Sequence, residues 1–217
     1  MKHEGELVLI LPYAAWLALM MALPAASWSY AVRTLVTAAL LIWSGVKGGQ
    51  GRDERDQRDK SDGRLTCTEP TIGFCRDVHL TCTVLTGVLT GLAVFAIWVV
   101  PDAWPWYRRC CVFGDPYTGA AAVTGPLLWV QLFGSACVIP AAEELFFRKW
   151  LLGFAGFAWM VALFAVEHDR YLVGAIAGAI YGLLYLKRGL FAAILAHAVT
   201  NLALGLYVIH TGRWEFW

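Results

Sequence analysis

Long apolar runs with almost no charge recur along this chain, at about 7–23, 28–44, 80–100, 124–152, 157–168, 171–186 and 190–209. Several approach or exceed the ~20 residues that an α-helix needs to cross a bilayer. Lipid offers no water to backbone N–H and C=O groups, so each run must pair them internally and be helical. Charged residues make up 15% of the sequence and hydrophobic residues 59%. Soluble domains carry roughly 25% charged residues. The expectation is an all-α, polytopic helical membrane protein of about seven transmembrane helices, forming one membrane domain over residues 1–217 and embedded in a lipid bilayer. A formal net charge of +1 gives no sign of a nucleic-acid partner.

The first apolar run has no clear small-residue cleavage site after it and is expected to be retained as a span. The cysteines show no CxxC spacing, so neither a zinc framework nor a disulfide framework is legible. Residues 45–79 differ in composition from the rest. The stretch from Gly45 to Leu65 alternates Arg, Asp and Gly, cannot form an apolar core, and reads as a solvated, flexible cytoplasmic loop. With seven spans, the Lys and Arg residues concentrate on the side of the N-terminus, that loop and the 187–189 turn. The positive-inside rule then puts the N-terminus in the cytoplasm of a multi-pass protein of the cell (inner) membrane. Trp28, Trp43, Trp104, Trp106, Trp214 and Trp217 fall near span ends, where an aromatic belt would anchor them.

Within this apolar background the segment Pro140-Ala-Ala-Glu143-Glu144-Leu-Phe-Phe-Arg148 is anomalous. A carboxylate at membrane depth costs a few kcal/mol or more unless paired or wetted, which marks it as a functional candidate. Glu144 and Arg148 stand i, i+4 and can pair along one helix face. Glu143 points about 100° away and is freer to face a cavity. Glu144 therefore reads as structural and Glu143 as reactive.

A turn at Gly153–Gly156 separates Glu143 from His168. At 1.5 Å per residue both lie roughly 15–18 Å from that turn, so an antiparallel hairpin brings them to similar depth. His197 and Asn201 are i, i+4 and share a face of the last span. The row Gly174, Gly178 and Gly182 permits close helix approach and is expected to pack the sixth span. A carboxylate beside a histidine can hold and deprotonate a water. A second histidine with an asparagine amide can donate hydrogen bonds to a developing oxyanion. Together these describe amide hydrolysis without a covalent nucleophile. If the chemistry is metal-dependent, Glu143, His168 and His197 are the candidate ligands, and zinc is the divalent metal such a set would take. Neither an HExxH nor a GxSxG motif is present.

The three segments EELFFR, FAVEH and HAVTN resemble the motifs of the CPBP family of intramembrane proteases, which includes the type II CAAX prenyl endopeptidases and the bacterial Abi proteins. The family's EExxxR falls on Glu143, Glu144 and Arg148, its FxxxH on Phe164 and His168, and its HxxxN on His197 and Asn201. The catalytic core would span 124–209. The resemblance implies that Glu143 and His168 activate water, that His197 and Asn201 stabilise the oxyanion, and that Glu144, Arg148 and Phe164 support the site. Family enzymes have been described both as metalloproteases and as metal-independent glutamate proteases, and the second is favoured here. The substrate would be a membrane protein or peptide, lipidated or surface-sorted. The closing TGRWEFW and the Tyr30–Trp43 span further resemble the CAAX-protease-related branch associated with bacterial exosortase systems, which implies a link to that sorting machinery. The connector from Arg148 to Phe164 is short for the family. It favours one alternative, a catalytically inactive membrane scaffold or immunity-type protein of the same fold. A proton-coupled transporter is a further alternative, but no inverted repeat is visible.

Overall fold

The computed structural model describes residues 2–23, 27–61, 71–113 and 122–217. Every apolar run is helical, and no strand occurs among the described residues. Helix α1 (Lys2–Ala22) turns back into α2 (Ser27–Ser61), and Ser44 Oγ donates to the Val8 carbonyl at 3.0 Å across the pair. Helix α3 (Thr71–Val99) ends in a 3₁₀ turn at Val100–Ala103, and a short α4 (Pro105–Cys110) follows. Then come α5 (Pro126–Ala155), α6 (Phe157–Val166), α7 (Tyr171–Arg188) and α8 (Leu190–Thr211).

Three of the described helices are long and apolar enough to cross a bilayer: Leu80–Ala103, Pro126–Ala155 and Leu190–Thr211. Glu6–Ala22 and Phe157–Val166 are shorter apolar helices. The segment expected to be a flexible loop differs from that expectation. Helix α2 continues to Ser61 and α3 already starts at Thr71, while 62–70 lie outside the described residues.

Helix α5 is not a regular α-helix. It widens to π geometry at Gly134–Val138 and again at Leu145–Leu151. The first widening has a legible consequence. The N–H of Ile139 bonds back five residues to the Gly134 carbonyl. The next donor in that register would be residue 140, a proline with no N–H. The Ser135 carbonyl is thereby left open, and Asn201 Nδ2 donates to it at 2.9 Å.

Helix α8 is the central element, with α3 packed along it. A Cβ added at Gly91 would lie 2.5 Å from the Ala196 carbonyl, so α3 approaches α8 as only glycine permits. The Thr200 hydroxyl bonds the Gly91 and Ala196 carbonyls at 2.8 and 3.0 Å. Helix α6 packs on α7 along the glycine row, as the spacing predicts. Cβ atoms at Gly174, Gly178 and Gly182 would meet His168, Phe164 and Met160 at 3.3, 2.9 and 2.6 Å. Because Gly178 has no side chain, Phe164 can sink against α7 and become almost fully buried.

Candidate active site

The charged segment of α5 faces inward. Glu144 and Arg148 are buried, with Arg148 Nε 3.0 Å from Glu144 Oε2. The guanidinium lies over the Phe164 ring at 4.3 Å and reaches towards the Gly178 carbonyl. A planar cation against aromatic faces is well suited to such a site, since it is weakly hydrated and stacks. The pairing expected from the i, i+4 spacing is present in this geometry.

Glu144 also orients a histidine. His197 Nδ1 lies 2.9 Å from Glu144 Oε1. An ionised carboxylate only accepts hydrogen bonds, so Nδ1 carries the proton and Nε2 points elsewhere. Nε2 lies 3.7 Å from Glu143 Oε2, a buried oxygen with no hydrogen-bond partner among the described residues. The imidazole stacks on Tyr181, with centroids 4.9 Å apart and planes 20° apart, and meets Phe164 edge-on. The Tyr181 hydroxyl in turn donates to Thr200 at 2.7 Å, which ties the stacking ring to α8.

Two carboxylates, one guanidinium and one imidazole thus meet in a buried cluster.

His168 sits in the turn after α6. Its Nδ1 lies 2.8 Å from the Phe164 carbonyl. A carbonyl also only accepts, so this nitrogen carries the proton and Nε2 presents a lone pair. Trp98 packs edge-on against the ring at 5.2 Å. Phe164 therefore serves two neighbours, with its ring under Arg148 and its carbonyl fixing the tautomer of His168.

A cavity of about 200 Å³ opens among these groups. His168, His197, Asn201, Ser135, Tyr181 and Thr200 supply its polar wall. Trp98, Phe164, Leu204, Phe216 and Trp217 supply much of its apolar wall. Asn201 spends one amide hydrogen on Ser135 and keeps the second.

The four sequence-derived candidates are brought together differently from the hairpin arithmetic. His168, His197 and Asn201 share the cavity wall. Glu143 stands behind His197, and no hydrogen bond joins it to His168 among the described residues. The arithmetic assumed two regular antiparallel helices. The widened turns of α5 alter its phase, and α6 packs chiefly on α7. Glu143, His168 and His197 also do not gather as a three-donor cluster among the described residues. The described donors do not fit a resident zinc site, which requires three convergent protein ligands.

Other site residues were not legible in the sequence. Trp98, Ser135, Tyr181 and Thr200 carry no motif. Trp217, expected to anchor at the membrane interface, instead lines the cavity. Asp102 lies just beyond the third apolar run and carries no motif. It is fully buried, with Arg170 at 3.2 Å, Arg108 at 3.3 Å and Arg213 in still closer contact. Arg170 also donates to the Glu215 carbonyl at 3.0 Å. The Phe216 ring lies between the guanidiniums of Arg170 and Arg213, 4.2 and 4.7 Å from them. Burial lowers the pKa of Arg213, but bonds to Tyr207, Asp102 and Glu215 outweigh it and hold the group above its ordinary value. This clamp fixes both the turn that carries His168 and the segment that closes the cavity.

No curated protein and no solved structure matches the chain. Residues 124–203 match the family described as type II CAAX prenyl endopeptidase Rce1-like. That segment holds Glu143, Glu144, Arg148, Phe164, His168, His197 and Asn201. The apolar helices and this similarity mark a multi-pass membrane protein, of which residues 124–203 resemble the Rce1-like type II CAAX prenyl endopeptidase family.

Proposed function

We propose that this protein is an intramembrane endopeptidase that hydrolyses a peptide bond of a membrane-associated protein by attack of a water activated by glutamate and histidine. The observation that carries the proposal is the cavity wall shared by His168, His197 and Asn201, with the unpartnered Glu143 carboxylate oxygen behind it. Glu143 Oε2 and His168 Nε2 are free lone-pair acceptors, so they take the role of drawing a proton from water. The resulting hydroxide adds to the substrate carbonyl carbon. His197, protonated at Nε2 and held by Glu144, donates to the oxyanion together with the second amide hydrogen of Asn201. The proton taken from water then passes to the leaving amine as the C–N bond breaks. Glu144 and Arg148 keep the imidazole in its tautomer, as the third member of a triad does.

Because Glu143, His168 and His197 do not gather as a three-donor cluster among the described residues, metal-independent water activation is the mechanism proposed. The charge asymmetry of the loops supports a cytoplasmic N-terminus in the inner membrane. A link to exosortase sorting rests on the TGRWEFW and Tyr30–Trp43 resemblance alone. The test is proteolysis by the purified protein in liposomes, guided by comparing membrane-protein termini between cells carrying the wild type and Glu143→Ala. Termini that vanish with the variant name the substrate. Undiminished cleavage by purified Glu143→Ala and His168→Ala proteins sinks the proposal.

A further inference from the structure

The motif residues all lie within 124–203, yet a side chain from outside that segment reaches the same site. Helix α2 meets α5 at the first widened turn. A Cβ at Gly134 would lie 2.5 Å from Thr34 Oγ1 and 2.8 Å from Tyr30 Cε1, so the glycine lets the two helices close there. Trp16 packs edge-on against the Tyr30 ring, with centroids 5.2 Å apart, and fixes its plane. The Tyr30 hydroxyl hydrogen-bonds the Ser135 side chain and stands within electrostatic range of the Glu143 carboxylate.

The hydrogens of this contact can be assigned. Ser135 Oγ–H donates to the Leu132 carbonyl at 3.2 Å, which uses its one hydrogen. Ser135 Oγ therefore accepts from Tyr30. On its other side, the Ser135 carbonyl accepts from Asn201 Nδ2 at 2.9 Å. Ser135 is thus gripped by α2 through its side chain and by α8 through its backbone, on the wall of the cavity. That carbonyl has no backbone donor in the widened turn, so the Tyr30 bond helps to set where it points. An asparagine amide turns about a broad terminal torsion. It keeps its second hydrogen aimed only if the acceptor of its first is held still.

We infer that Tyr30 is a positioning residue of the active site: through Ser135 it fixes the Asn201 amide, so that the second amide hydrogen is aimed at the oxyanion. The oxyanion in this inference rests on the protease reading, whereas the bonded line Tyr30–Ser135–Asn201 stands apart from it. Tyr30 touches no reacting atom. Helix α2 thereby belongs to the catalytic unit, although no motif residue lies on it.

Asn201 is the sole asparagine of the sequence, so isotope-labelled asparagine reports it alone by NMR. Full-length protein in lipid nanodiscs should give one pair of side-chain amide proton signals. Tyr30→Phe keeps the ring against Trp16 and Gly134 and removes only the hydroxyl. It should shift or broaden this pair, whereas Thr37→Val, an isosteric change at a buried position of the same helix, should leave it in place. Kinetics with a fluorogenic prenylated CAAX peptide, a class named by the matched family, supply a second readout. Tyr30→Phe should lower kcat about 5-fold with KM unchanged, the worth of one neutral hydrogen bond. In an Asn201→Ala background Tyr30→Phe should cost nothing further, since the group it serves is gone. An amide pair unmoved by Tyr30→Phe, or moved equally by Thr37→Val, overturns the inference. So does an equal loss from Tyr30→Phe in the Asn201→Ala background. Wild-type protein whose amide pair responds as expected yet cleaves no peptide counts against the protease reading alone. Cleavage by Tyr30→Phe at the wild-type rate counts against the positioning role alone.

Discussion

His197 donates its Nδ1–H to Glu144 across 2.9 Å, while Glu144 holds Arg148 with its other oxygen at 3.0 Å. This relay locks the imidazole with Nε2 towards Glu143. Glu144→Gln should keep the shape but remove the charge that stabilises a protonated His197. The expected outcome is a fall in kcat of up to about 10⁴-fold with little change in KM. Thermal unfolding should show a loss of about 3–5 kcal/mol as well, because Arg148 is left buried without its counter-charge. Steady-state kinetics and unfolding of the same sample check both.

Glu143 and His168 offer lone pairs that nothing else in the described structure uses. Replacing either with an isostere, Glu143→Gln or His168→Asn, should lower kcat by about 10²–10⁴-fold, the usual contribution of a positioned base. Neither should disturb helix packing greatly, so circular dichroism and detergent-extraction behaviour should match the wild type. Equal loss of fold and activity would speak for a structural role instead.

Chelation gives an independent check on how the water is activated. The described carboxylate and histidines do not converge as a three-ligand set. Incubation with a strong chelator followed by dialysis should leave the cleavage rate within about twofold, below the tenfold change that 1.4 kcal/mol would produce. A rate lost on chelation and recovered on adding zinc would overturn the metal-independent mechanism.

The Gly178 contact should be intolerant of a single methyl group. An added Cβ would lie 2.9 Å from Phe164 Cδ1, in a wall where Phe164 also supports Arg148 and His168. Gly178→Ala is expected to cost about 1–3 kcal/mol through overpacking and to lower activity with it. Gly153→Ala is the contrast, because nothing lies within 4 Å of its Cβ position. It should be neutral, or stabilising by about 0.5–1 kcal/mol in a helical setting.

Removing Asp102 tests the clamp. Asp102→Ala strips the shared partner from Arg170 and Arg213. Breaking a buried pair in this way costs about 3–5 kcal/mol. Hydrogen exchange should quicken at 167–170 and at 213–217 together, since one carboxylate anchors both. Faster exchange in only one of the two segments would show that they are held separately.

Much of this site was legible because membrane residence makes polarity conspicuous. Glu143, Glu144, Arg148, His168, His197 and Asn201 stand out against apolar neighbours, and i, i+4 spacing alone pairs Glu144 with Arg148 and aligns His197 with Asn201. The glycine row announced the close packing of α6 on α7. What stayed hidden depends on features without a local signal. The partner of Glu143 depends on helical phase, which the π segments alter without any residue type that spells them out. The Asp102 clamp joins positions 102, 170 and 213, whose approach only the tertiary fold reveals. Trp217 resembled every other tryptophan at a span end, and only its place on the cavity wall sets it apart.

The widened turn at Gly134–Val138 also makes α5 sensitive to its own length. Ser135 and Glu144 are nine positions apart, about 900° along a regular α-helix, which leaves them half a turn out of phase. Yet both reach α8, at Asn201 and His197, which lie one turn apart on a single face. The wide turn takes up about 100° of that mismatch. Deleting one residue within it would make the two contacts mutually exclusive, so that keeping the asparagine seated would swing the glutamates towards lipid. In this helix a substitution alters one contact, whereas a change of length exchanges one whole face for another.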